Sequence, residues 1–117
     1  MRRYSHLNQA DIYHAFNRLR DVFLSARDGN DVDKITDGLL TRDEKLKIGR
    51  RILIAEYLLA KIPMEEVVRE LKVGMSTVVH VSRRLEKYSE CFELIERRRK
   101  LVEKEYTGFR RKDVKRK

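Results

Sequence analysis

Ser76, His80, Arg83 and Lys87 follow one another at spacings of four, three and four residues. At about 100° per residue these side chains fall within about one sixth of a turn on one helix face. A hydroxyl, an imidazole, a guanidinium and an ammonium in such a stripe can hydrogen-bond to base edges or to phosphates. Thr77, Val79 and Arg84 flank the stripe, and Val78, Val81, Ser82 and Leu85 fall on the other side. That second side is apolar apart from one small hydroxyl, so it is the side that packs. The chemistry this arrangement suits is recognition of a polyanion. A charged stripe alone is usually a solvated face, so the elements around it must carry the reading.

Those elements are a short helix over Met64–Leu71 and a tight turn at Lys72-Val73-Gly74-Met75. A second helix follows over Ser76–Tyr88, with Ser76 as its expected cap. Pro63 fixes the start of the first helix, where its missing N–H costs nothing. The order and lengths are those of a helix-turn-helix, whose second helix lies in the major groove of DNA. On this reading Ser76, Thr77, Val79, His80 and Arg83 are base-contact candidates. Arg69, Arg84 and Lys87 hold phosphates, with Arg50 and Arg51 nearby. If His80 faces a phosphate, protonation strengthens that contact.

Other chemistries find little support. His6, His14, His80 and Cys91 are too scattered for a recognisable metal motif, and no cofactor is implied. The five glycines are isolated and form no phosphate-cradling loop. The acidic residues fall on helix faces, which solvation explains better than acid–base catalysis. No enzyme is expected.

The chain has 117 residues, 41% hydrophobic and 40% charged, with one Pro and five Gly. That composition fits one helical domain with short connections and a modest core, which burial shared in a dimer would enlarge. We read residues 1–106 as a single all-α DNA-binding and dimerisation domain, with the helix-turn-helix at 64–88. Residues 107–117 read as a basic, disordered tail. The net charge of +9 favours polyanionic partners. No apolar run is long enough to span a bilayer, and the start Met-Arg-Arg-Tyr-Ser-His lacks the apolar region of a signal peptide. The single Cys91 excludes an internal disulfide and suits a reducing cytoplasm.

Taken in order, residues 1–8 are polar and expected to fray, with Asn8 a plausible cap. From Gln9 to about Arg27, Ile12, Phe16, Leu19, Phe23 and Ala26 recur at helical spacing. This aromatic-rich face serves either as core within one subunit or as a dimer face. Asp28-Gly29-Asn30-Asp31 reads as a loop, and Val32–Leu40 as a short helix weakened by Gly38. Thr41-Arg42-Asp43-Glu44 is a capping box. It opens a long helix, apolar nearly all round in its second half, that runs to about Ile62 and stops at Pro63. Ser89-Glu90 begins a last helix to about Tyr106, with Phe92, Ile95, Leu101 and Val102 on its apolar face.

From Leu39 to Leu85 the sequence resembles the Trp repressor superfamily. The matching stretches are LLTRDEKLKIGRRILIAEYLLAK and ELKVGMSTVVHVSRRL. The capped long helix, its two-leucine end, the short helix and the turn come in the family's order, with one residue fewer between Leu59 and Leu71. The stretch covers about two fifths of the chain. The resemblance implies an all-α fold of six helices and an intertwined homodimer. It also implies a repressor that binds a palindromic operator with two recognition helices about one DNA turn apart.

In the family, tryptophan binds between the long helix and the recognition helix. Thr41 and Arg51 match residues near that pocket. His80 stands where the family has a pocket arginine, Val81 where a glycine makes room for the indole, and Arg84 where a serine helps bind the ligand amine. A branched side chain would fill the space and a cation would face the ammonium. Tryptophan is therefore not expected as a ligand, and any small-molecule effector is of another, unknown kind. In these respects the chain is similar to the Trp-repressor-like (YerC/YecD-type) branch. The alternative reading is a non-catalytic interaction or RNA-associated helical module that binds through its basic tail.

Overall fold

The computed structural model describes residues 2–106. Among them the regular structure is helical throughout. A single 3-10 turn at Arg2–Tyr4 precedes six α-helices: α1 Gln9–Leu24, α2 Gly29–Leu39, α3 Arg42–Leu59, α4 Met64–Leu71, α5 Met75–Lys87 and α6 Ser89–Tyr106. The fold is the expected six-helix, all-α one. The basic tail read at 107–117 lies outside the described residues. The chain divides into two compact units, one ending at Leu39 and one beginning at Leu40.

The first unit contains α1 and α2. Asn8 caps α1, accepting from the Asp11 N–H at 2.9 Å, while the Asp11 carboxylate accepts from the Asn8 N–H at 3.1 Å. This reciprocal pair satisfies two N–H groups that a helix start leaves open. The helix ends at Leu24 rather than near Arg27, because the Ser25 hydroxyl donates back to the Val22 carbonyl at 2.6 Å. The stretch 28–31, expected as a loop, is instead the start of α2. Asp28 caps it: its carboxylate accepts from the Asp31 N–H at 2.9 Å, and its carbonyl accepts from Val32 at 3.1 Å. Neither helix holds a buried residue. Tyr13, Phe16, Leu19 and Phe23 are all exposed, Phe16 by 64%.

The second unit holds the buried core. Ile54 and Ala55 of α3, Val67 of α4, Val78 and Val81 of α5 and Phe92 of α6 form one buried cluster. Complete burial of a valine or isoleucine contributes about 1.5–3 kcal/mol. α3 packs on both α4 and α5, and α5 on α6. Thr41 and Glu44 form the expected capping box, at 3.1 Å and 2.8 Å. The apolar second half of α3 is only partly covered within this chain, since Leu53 and Leu59 stay exposed.

α3 stops at Leu59, short of the expected end near Ile62. Ile62 N–H donates to the Tyr57 carbonyl and Lys61 N–H to the Leu58 carbonyl, with Lys61 left-handed at φ 66°. That is a Schellman ending, which closes the helix before Pro63 can. A lysine occupies the position that glycine usually takes.

Candidate nucleic-acid interface

α4 has eight residues and α5 thirteen, and the two pack against each other and against α3. Val67, Val78 and Val81 bind them into the core. The inner face of α5 is the one its residue spacing predicts. Val78 and Val81 are buried, and Ser82 and Leu85 half-buried. With that face fixed, Ser76, His80, Arg83 and Lys87 are all exposed on the far side, and Thr77 with them. Val79 and Arg84 are half-buried at the margins, and Arg69 is exposed on α4.

The turn is built differently from the sequence expectation. The cap of α5 is Gly74, with no side-chain cap bond, and the helix begins at Met75. Ser76 is therefore its second helical residue, and its hydroxyl is not the cap. Gly74 has an ordinary extended backbone, φ −79°, and a Cβ there would meet nothing within 4 Å. The left-handed residue of the turn is Lys72, at φ 57°, ψ 50°. The amides of Lys72 and Val73 both donate to the Val68 carbonyl.

Arg50 reaches this turn from α3. Its Nη2 donates to the Leu71 carbonyl at 3.0 Å and to the Lys72 carbonyl at 2.7 Å. The sequence had offered Arg50 for a phosphate; in the folded chain one end of its guanidinium is engaged with the backbone.

A cleft of about 660 Å³ opens between α3 and α5. It brings together five of the sequence candidates: Arg50 and Arg51 from one wall, Ser76, Thr77 and His80 from the other. Lys47 and Lys72 also line it, and sequence reasoning missed both. The signal for Lys47 was present, since it stands three and four residues before Arg50 and Arg51 on one helix. Lys47 pairs with Asp43 at 3.4 Å, a contact too exposed to weigh much. The cleft is cationic, with hydroxyls at one side and Ile54 and Val81 among its apolar lining.

The remaining candidates lie elsewhere. Arg83, Lys87, Val79 and Arg69 do not line the cleft, and neither do Thr41 and Arg84. The Thr41 hydroxyl serves as the α3 cap. Arg84 stacks over the Tyr88 ring at 4.7 Å, with Lys87 at 5.4 Å from the same ring. So Val81 stands in the cleft as expected, but the cations there come from α3 and the turn instead of Arg84. Among the described residues, no group of three His, Cys, Asp or Glu side chains converges to hold a metal ion. No helix among them is long and apolar enough to cross a membrane.

A family model described as Trp repressor protein matches residues 14–100, from within α1 to within α6. No curated protein and no solved structure matches the chain. The matched span is well over half of the sequence and contains both helices of the helix-turn-helix and the α3 that supports them. The chain belongs to the Trp repressor family, a family of helix-turn-helix DNA-binding regulators and not of enzymes.

Proposed function

We propose that this protein is a cytoplasmic, homodimeric repressor that binds a palindromic DNA operator in a sequence-specific way. The observation that carries the reading is the division of α5. Its apolar face is locked in the core while Ser76, Thr77, His80 and Arg83 stay exposed. A helix held that way presents polar groups to a major groove without losing its packing. Ser76, Thr77, Val79, His80 and Arg83 read bases in this proposal. Arg69, Arg84 and Lys87 hold phosphates, together with Arg51 and the free nitrogens of Arg50.

The homodimer is supported by uncovered apolar surface. Neither α1 nor α2 holds a fully buried residue, while Tyr13, Phe16, Leu19, Phe23 and Leu24 are exposed. Leu94, Leu101 and Val102 of α6 are exposed as well. So much apolar surface on so small a chain calls for a partner, and a second copy supplies matching surfaces. Residues 1–106 then act as one dimerisation and DNA-binding domain.

Tryptophan is not the corepressor in this proposal. Val81 occupies the cleft wall with a branched side chain, and Lys47 and Lys72 make the site unfavourable to a ligand ammonium. Any effector is of different chemistry.

Selection from a randomised duplex pool tests the proposal, run near physiological salt and again at higher salt. A two-fold symmetric site that survives the salt is the expected result. A flat profile that collapses with salt would replace it with binding by charge alone.

A further inference from the structure

Lys72 poses a problem that the fold has to solve. A left-handed backbone sets Cβ against the following carbonyl, so only glycine visits it freely. Lysine stands there at the corner between α4 and α5, while the nearby Gly74 is extended. Two carbonyls are exposed at this corner, those of Leu71 and Lys72, and both accept from Arg50. The bonds link residues 21 and 22 apart in the chain, so they tie the corner to α3 and not to its own helices. The charge also favours the site, since a cation sits well at the negative end of α4.

We propose that Arg50 is a positioning residue: its guanidinium clasps the Lys72 corner and so sets the direction in which α5 leaves it. The reading of α5 as the DNA-facing helix comes from the proposed function; the clasp itself stands on the backbone geometry. α4 supplies its own closing bonds at Lys72 and Val73, both to the Val68 carbonyl. Those bonds close the helix but leave the next two carbonyls free to turn. Arg50 fixes them against α3, whose packing on α5 requires one orientation. A phosphate contact by the same arginine would use its remaining nitrogens and would add to this role.

The two roles separate in a double-mutant cycle. Arg50→Ala, Lys72→Gly and the pair are made in the full chain, and amide hydrogen exchange of Val73 is followed by NMR. Arg50→Ala is expected to speed exchange of the Val73 N–H by about tenfold, because the turn opens more often. In the Lys72→Gly background the same change should matter about twofold or less, since glycine takes the left-handed conformation without help. Duplex binding should fall in Arg50→Ala and recover only in part in the pair, which still lacks the arginine's own phosphate contact. Unchanged Val73 exchange in Arg50→Ala, or an equal loss in both backgrounds, overturns the clasp. Should Arg50→Ala not fold, Arg50→Gln runs the same cycle with the same criteria. If the wild-type chain binds no duplex, the DNA reading fails while the exchange cycle still decides the clasp.

Discussion

The guanidinium carbon of Arg84 stands 4.7 Å from the centroid of the Tyr88 ring. Tyr88 follows the last residue of α5, and its amide donates to the Arg84 carbonyl at 2.8 Å. The stacking gives Arg84 a fixed place worth about 0.5–1 kcal/mol. Arg83, its neighbour, is exposed on the stripe with Ser76 and His80. Two adjacent arginines thus have different freedom, in keeping with the proposal that Arg83 reads a base while Arg84 holds a phosphate.

Arg83→Ala is expected to cost about 1–3 kcal/mol and to relax preference at one base position. Arg84→Ala should weaken binding to all duplexes alike and leave the preference intact. Binding profiles across single-base variants of the selected site measure both. An unchanged profile for Arg83→Ala would remove it from the base-reading set.

Thr41→Ala should lower the stability of the second unit by about 1 kcal/mol, since it removes half of the α3 capping box. Thr41→Ser should melt close to the wild type. Thermal unfolding followed by circular dichroism compares the three, and a Thr41→Ala curve that overlays the wild type would show that water replaces the cap without loss.

If the protein is the homodimer proposed above, Phe16→Glu should make it a monomer. Phe16 is 64% exposed within one chain, so the substitution disturbs nothing inside it, yet a buried unpaired carboxylate at a dimer face is costly. Sedimentation equilibrium of both proteins gives the masses. Equal masses would mean that the α1 face is covered by something other than a second copy at that point.

Added tryptophan should leave the melting temperature unchanged at millimolar concentration. A ligand present at a hundred times its Kd would stabilise by about 2.7 kcal/mol, which a thermal scan detects easily. An upward shift would place an indole in the cleft despite Val81, and the proposal of a different effector would fall.

Ile54→Ala should cost about 2–5 kcal/mol, because Ile54 is completely buried between α3 and its partners. Denaturant unfolding measures it. A cost near zero would mean that the α3 contacts collapse readily around the cavity.

Much of this protein could be read directly from its residues. The α3 capping box, the Asn8 cap of α1, the six helical segments and the inner face of α5 all followed from patterns within four residues. Such features depend on neighbours in the chain, so spacing and side-chain chemistry suffice. The local misreadings had local causes too. Aspartate, glycine and asparagine serve turns and helix starts equally, so Asp28 looked like a loop residue before its carboxylate was found capping α2. Ser76 looked like the cap of α5, while the cap is Gly74 and the left-handed residue of the turn is Lys72.

Tertiary structure alone decided where the long-range partners fall. Arg50 meets a carbonyl 22 residues away, and Lys47, Arg51 and His80 share one cleft. No periodicity encodes those meetings, because they depend on how α3 crosses α5. The left-handed lysines divide between the two. Lys61 sits in the local bonds of a Schellman ending, whereas the Lys72 carbonyl also accepts from Arg50 of α3, a partner that no local pattern supplies.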